Sequence, residues 1–311
     1  VKTDCGTVAL SLVTAMVACG AQPPGSQLKA ETSREIPFTM RGGVVLVPVK
    51  VGPSRILRIV LDTGMGFDGV LLWEPLPEST FSGPIMEVRI PGAGSGEPAR
   101  GRMTDSGSFS AGPVEFRNQR VVWLVDSLMS GFPSDGVMGY SLLGHWVVEL
   151  DYDRKVMRLH ESGYKPDSSW TGVAMPLGKN STPRMKVRAS ISGEEPVELD
   201  CYLDLAANDE IVFLVREDAK FRVPDSVEPV YVGRGLSGDI YGSRGQAALV
   251  ELDTYRLRNL AVTFAPDSVR SKQPGADAVI CGSLLARFNT VYDYAGGRMY
   301  IKPRRQAASD Q

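Results

Sequence analysis

Ile59-Val60-Leu61-Asp62-Thr63-Gly64 runs from an apolar segment directly into an acidic residue followed by Thr and Gly. Consecutive branched aliphatic residues favour a buried, extended segment, so Asp62 reads as a carboxylate held at the tip of a buried strand. The arrangement recurs 142 positions later as Cys201-Tyr202-Leu203-Asp204-Leu205-Ala206. The same offset, without a gap, lays Asp135-Gly136-Val137-Met138-Gly139-Tyr140-Ser141-Leu142-Leu143 on Asp277-Ala278-Val279-Ile280-Cys281-Gly282-Ser283-Leu284-Leu285, and Asp151-Tyr152 on Asp293-Tyr294. The chain therefore reads as two related halves, each carrying one strand-end aspartate.

Around these anchors the pattern is that of strands and turns. Residues 43–51 are strand-like, turn at Gly52-Pro53-Ser54 and lead into the segment that delivers Asp62. Met185 to Ser192, a turn at Gly193-Glu194 and Val197 to Leu203 repeat the plan with alternating apolar and polar residues, the mark of a strand with one buried face. Val70 to Trp73 and Ile211 to Leu214 continue the two sheets, and each half closes on a hairpin, the second turning at Ala295-Gly296-Gly297. Residues 161–169 read as a linker between halves. Past the leader no run has helical length and period, so the expected body is all-β.

These residues resemble a family, the bacterial two-lobed pepsin-like and retropepsin-like aspartic peptidases, over about residues 36 to 303. In that family each lobe supplies an Asp-Thr/Ser-Gly loop, then a hydrophobic-hydrophobic-Gly segment leading into a short helix. Val137-Met138-Gly139 with Tyr140 to Leu143 looks like that second element. The resemblance implies a bilobal acid-protease fold of two β-barrel-like lobes, at residues 36–162 and 163–311. It implies an aspartic endopeptidase with Asp62 and Asp204 as its acid pair, Thr63 and Gly64 fixing the first loop, and no cofactor. Two carboxylates about 3 Å apart cannot both ionise, so they share a proton and divide the roles of base and acid. The glycine-rich stretch with Gly92, Gly94 and Gly96 falls where the family carries its mobile flap over the substrate, although the usual flap-tip Tyr is not evident.

The second loop departs from the family pattern. Leu205 stands where a hydroxyl normally bonds across the lobe interface, Ala206 replaces Gly64, and Cys281 replaces Gly139. A methyl at Ala206 would crowd the loop if a positive φ were required. Asp204 is thus either the second catalytic acid or a structural remnant. In the latter case the chain is a pseudo-peptidase that binds extended peptides or envelope partners in the inter-lobe cleft without cutting them.

Composition sets the outer bounds. The chain has 311 residues and a formal net charge of −2, with no basic run before Lys302 to Arg305, which argues against a nucleic-acid partner. Thr7 to Ala18 is an uninterrupted small and apolar run, too short to span a bilayer but suited to a signal-peptide core. Met16-Val17-Ala18-Cys19-Gly20 resembles a lipobox in which Cys19 would be acylated; cleavage after Ala21 is the alternative. Residues 1–35 therefore read as signal peptide and tether, the destination as the cell envelope or periplasm, the only membrane contact as a lipid anchor, and the mature protein as a monomer. In the resembled fold Cys201 and Cys281 lie on neighbouring strands, so a disulfide and two buried thiols are both open readings.

Other signals carry less. Metal-ligand spacing is absent, and His145 and His160 are the only histidines, read as surface or packing groups. Gly233-x-Gly235-x-x-Gly238 matches a dinucleotide-binding pattern, but Asp239-Ile240-Tyr241-Gly242 does not start a helix. Asp151 and Asp293 precede hairpin turns, where an aspartate bonds local backbone N–H groups.

Overall fold

The computed structural model describes residues 34–270 and 275–305, so the leader and Cys19 lie outside the described residues. The body is all-β. Its two longest helical segments of α type, Tyr140–Leu143 and Gly282–Leu285, have four residues each and are related by the 142-residue offset.

The first half closes into a barrel of six strands. Val44–Val51 pairs with Leu57–Leu61, which lies parallel to Gly136–Met138; Gly69–Leu72, Val114–Leu124 and Ala99–Ala111 follow, and the last returns to pair with Val44–Val51. The second half repeats the circuit through Arg184–Ser190, Val197–Asp204, Ala278–Cys281, Ile211–Val215, Tyr255–Pro266 and Gly238–Leu252. Closure removes the exposed sheet edges that would otherwise invite association. One further strand lies against each barrel's longest hairpin, Met86–Ile90 on Ala99–Ala111 and Glu228–Gly235 on Gly238–Leu252.

A third sheet draws on both halves. Its order is Glu35–Pro37, Val156–His160, Val147–Asp151, Phe288–Asp293, Arg298–Pro303 and Thr171–Ala174, and its middle pair, with Glu149 opposite Val291, consists of repeat-equivalent strands. The halves are thereby stitched along a pseudo-two-fold seam. A continuous apolar core runs through both barrels and this sheet, from Ile36 and Trp123 to Phe213 and Ile301.

The repeat extends to side-chain bonds. Asp135 accepts from the Arg58 amide at 2.7 Å, and its equivalent Asp277 accepts from the Asp200 amide at 2.9 Å. Asp151 and Asp293 each accept from the amide three residues on, at 2.9 and 2.8 Å, the turn-stabilising role their positions suggest. The ion pair between His145 Nε2 and Asp68, 2.7 Å, has its counterpart in Arg287 with Glu210. His145 is therefore one half of a repeated structural pair.

The halves also press turns against each other, the turn at Asn180 on the Asp62 loop and the turn at Gly43 on the short helix Gly282–Leu285. A Cβ on Gly66 would lie 1.6 Å from the carbonyl oxygen of Asn180, and one on Gly43 would lie 2.8 Å from Cα of Ser283. Side chains cannot fit at either contact.

Cys201 and Cys281 are both buried and are not joined by a disulfide. Cys201 pairs with Ala278 while Cys281 pairs with Asp204, three residues along the parallel ladder. That offset is about 10 Å of strand, beyond the roughly 7 Å a disulfide can bridge. Of the two readings of these cysteines, buried thiols is the one realised.

Candidate active site

Each aspartate sits where a barrel strand ends beside its parallel neighbour. The Asp62 amide donates to Met138 O at 2.8 Å, extending the ladder between Leu57–Leu61 and Gly136–Met138 by one bond. The chain then turns back sharply. The Gly64 amide donates to Asp62 Oδ1 at 2.6 Å, and the Met65 amide to Asp62 O at 3.3 Å. Tyr140, at the start of the short helix, donates its amide to Met65 O at 3.1 Å. Gly139 is required here, because a Cβ would fall 2.0 Å from Asp62 O.

The second loop has the same internal wiring despite its altered sequence. The Ala206 and Ala207 amides donate to Asp204 Oδ1 at 3.0 and 3.2 Å, the Ala207 amide also reaches Asp204 O at 3.3 Å, and the Gly282 amide reaches Ala207 O at 2.9 Å. Neither Gly64 nor Ala206 has a positive φ. The Gly-to-Ala replacement therefore carries no conformational strain, and the crowding foreseen for Ala206 does not arise. At the position equivalent to Gly139, Cys281 adopts φ −103° and ψ 171° where Gly139 has φ −148° and ψ −80°. The local backbone has moved to admit the side chain.

Thr63 joins the two loops. Its Oγ1 donates to Leu203 O at 2.7 Å and accepts from the Leu205 amide at 3.1 Å. These are the residues on either side of Asp204, so one buried hydroxyl clamps the second loop against the first. No hydroxyl returns the bond: Leu205 is wholly buried and its side chain belongs to the apolar core. The grip is one-sided, as the sequence of the second loop requires.

Amide N–H groups aimed at both Oδ1 atoms direct partial positive charge onto the carboxylates, a fixed electrostatic environment of the kind that supports acid–base work. Asp204 is buried and Asp62 is half-buried. Tyr294 is buried near the first loop. Its phenol is pushed well above the usual tyrosine value, first by burial, then by Tyr292 and by the Asp62 carboxylate, which puts it within electrostatic reach of the first loop. Sequence reasoning gave Tyr294 no role, although its recurrence as the partner of Tyr152 marked the position.

Apolar clusters adjoin both loops. Met65, Leu71, Trp73, Val122 and Leu124 form a cluster that Phe67 and Ala206 join, and Tyr202, Val212, Leu214 and Val279 form the corresponding cluster in the second half. Gly92, Gly94 and Gly96 occupy the tip between Met86–Ile90 and Ala99–Ala111. They pack on the tip of the second half's hairpin, which contains Gly233, Gly235 and Gly238 and opens no helix. Among the described residues no group of three His, Cys, Asp or Glu could hold a metal ion. His160 is bound to Glu149 at 2.8 Å and stacked on Tyr164, on the shared sheet.

Comparison with solved structures finds soybean basic 7S globulin, with a TM-score of 0.52 at 10% sequence identity over 89% of this chain and 96% of that one. The chain has a bilobal pepsin-like fold. At that identity the likeness reaches the fold and not the chemistry. No protein-family model matches the chain, and no curated protein does.

Proposed function

We propose that this chain is an aspartic endopeptidase of the bacterial two-lobed kind, with Asp62 and Asp204 as its acid pair. The observation that carries the reading is the Thr63 hydroxyl, bonded to both residues that flank Asp204 and so binding the two aspartate loops side by side. Thr63 and Gly64 serve to orient the Asp62 loop.

In the working cycle one carboxyl is protonated and its partner ionised. The ionised carboxylate takes a proton from water as the water oxygen attacks the peptide carbonyl carbon, and the protonated one gives its proton to the carbonyl oxygen. Collapse of the resulting gem-diol breaks the C–N bond as the carboxyl that took the water proton gives it to the leaving nitrogen and a gem-diol hydroxyl returns its proton to the other carboxylate. No metal or covalent intermediate enters this scheme.

The test is cleavage of an unbiased peptide pool between about pH 3 and 7 by the wild-type chain, Asp62→Asn and Asp204→Asn. Neutralising either member of a working pair removes most of the rate. Loss in both variants supports the pair, and loss in Asp62→Asn alone excludes Asp204. Leu205 favours a second reading, a peptide-binding pseudo-peptidase, which is left standing if wild type cuts nothing but still retains labelled peptides.

We also propose that the protein acts in the cell envelope as a lipid-anchored monomer. Incorporation of labelled fatty acid, abolished by Cys19→Ser, tests the anchor. Solution mass of the detergent-free body tests the monomer.

A further inference from the structure

One face of the shared sheet carries a row of buried hydroxyls. Thr290 and Tyr292 alternate along the strand Phe288–Asp293 and Tyr294 follows at its end, so the three side chains leave the same face. Leu150 stands opposite Thr290 in the register, and Tyr152, two residues on, shares that face from the neighbouring strand. The hydroxyl oxygens of Tyr152, Thr290, Tyr292 and Tyr294 are all buried, and none has a hydrogen-bond partner among the described residues. The groups are within reach of one another. Tyr292 acts on both Tyr152 and Tyr294, and Thr290 favours the ionised form of Tyr152 and of Tyr292 from just short of an ordinary hydrogen bond. The row ends at Asp62 on one side, through Tyr294, and at the partly exposed Arg304 on the other, through Tyr152. Packing does not demand this polarity. At the positions equivalent to Thr290 and Tyr292 the first half carries Val148 and Leu150, both wholly buried.

A buried hydroxyl with no partner is costly, and a cluster of four is far outside what native interiors tolerate. The ligand that answers such a row is small, neutral and both donor and acceptor, because each hydroxyl is itself both. Water meets these terms, and a buried water makes about three hydrogen bonds. We propose that the four hydroxyls line an internal water site in the seam between the halves, holding about two waters, one bridging Tyr152, Thr290 and Tyr292 and the other bridging Tyr292 and Tyr294 to the Asp62 carboxylate. Tyr294 is then a positioning residue for Asp62, acting through that second water. The inference goes beyond the peptidase reading and does not depend on it.

The experiment is thermal unfolding of the full chain and of Tyr292→Phe, Tyr294→Phe, Asp62→Asn and the Tyr294→Phe, Asp62→Asn double variant, together with a high-resolution crystal structure of wild type. Phenylalanine fills the space of tyrosine, so each Tyr→Phe change removes the hydroxyl alone. A hydroxyl bonded to internal water is lost at a cost, and the melting temperature of each Tyr→Phe variant is expected to fall by about 2 °C or more. A hydroxyl with no partner is a burden whose removal helps, so an unchanged or higher melting temperature overturns the site. The crystal structure is expected to show ordered water about 2.7–3.2 Å from two or more of the hydroxyls. Hydroxyls bonded directly to one another, with no water between them, overturn the site even if the melting temperatures fall. The link to Asp62 is read from the double variant. Its shift is expected to be smaller than the sum of the two single shifts, and additive shifts overturn the positioning role of Tyr294. None of these readouts uses cleavage, so an inactive wild type counts against the peptidase reading alone.

Discussion

Replacing Thr63 by Val tests the contact on which the site depends. Valine keeps the branched shape and removes only the hydroxyl, so the packing of a residue 1% exposed is little disturbed. Two bonds are lost, the donation to Leu203 O at 2.7 Å and the acceptance from the Leu205 amide at 3.1 Å. Both orphaned groups lie in residues that are fully buried. A buried group deprived of its partner costs about 1–3 kcal/mol, and an N–H is less forgiving than a carbonyl, which has a second lone pair. The expected destabilisation is about 2–4 kcal/mol, measured as a fall in urea midpoint at unchanged m-value. Thr63→Ser, which restores the hydroxyl, should recover most of it. A valine variant within about 0.5 kcal/mol of wild type would refute the clamp, because surface substitutions produce changes of that size. If the protein is a peptidase, the same variant should lose kcat more than KM, since the loops would still exist but no longer be held in register.

Leu205→Thr, which restores the family's hydroxyl, is expected to destabilise rather than repair the site. Removing a wholly buried leucine from the core costs about 2–3 kcal/mol, more than the roughly 1 kcal/mol of one new hydrogen bond; a rise in melting temperature would show this balance to be wrong. Gly66→Ala drives a Cβ to within 1.6 Å of Asn180 O, so the second-half turn must back away, at about 1–3 kcal/mol. Any cleavage activity should fall with it, and an unchanged melting curve would count against the contact. The hydrogen bond to Asp68 raises the His145 pKa above its ordinary value near 6.5. The stability from this pair is therefore full below about pH 6.5 and lost as pH rises through the raised folded value. The stability difference between wild type and Asp68→Asn should accordingly shrink with rising pH; a constant difference would contradict the assignment.

The repeat makes half the fold legible in the sequence. An ungapped offset of 142 fixed the paired positions of both aspartates, both short helices and both turn-capping aspartates. The outer strands were harder to read for a local reason. Ala99–Ala111 contains Gly101, which makes room for Ile90, and Gly107, which lies at a shift in register, so its alternation is broken where a reader looks for it. The shared sheet left no local mark at all. Its central pairing joins Glu149 to Val291, and nothing in either segment distinguishes a strand that closes its own hairpin from one that also meets its repeat partner.

The site divides along the same line. That Leu205 cannot return a hydroxyl bond follows from its side chain alone. That Thr63 compensates by bonding both backbone neighbours of Asp204 depends on how closely two loops from distant parts of the chain approach. The second loop needs only backbone amides to wire its carboxylate, and Ala206 and Ala207 supply these as well as Gly64 does. The family signature is thus stricter than the geometry it encodes. What the second half gives up by carrying Leu205 is a mutual clamp, and it keeps the internal bonds of its own loop. Two aspartate loops bonded to each other through one hydroxyl concentrate the cost of failure at Thr63. Substitution there should therefore be far more damaging than any conservative change at Ala206, although sequence comparison alone would rank Ala206 as the more suspicious residue.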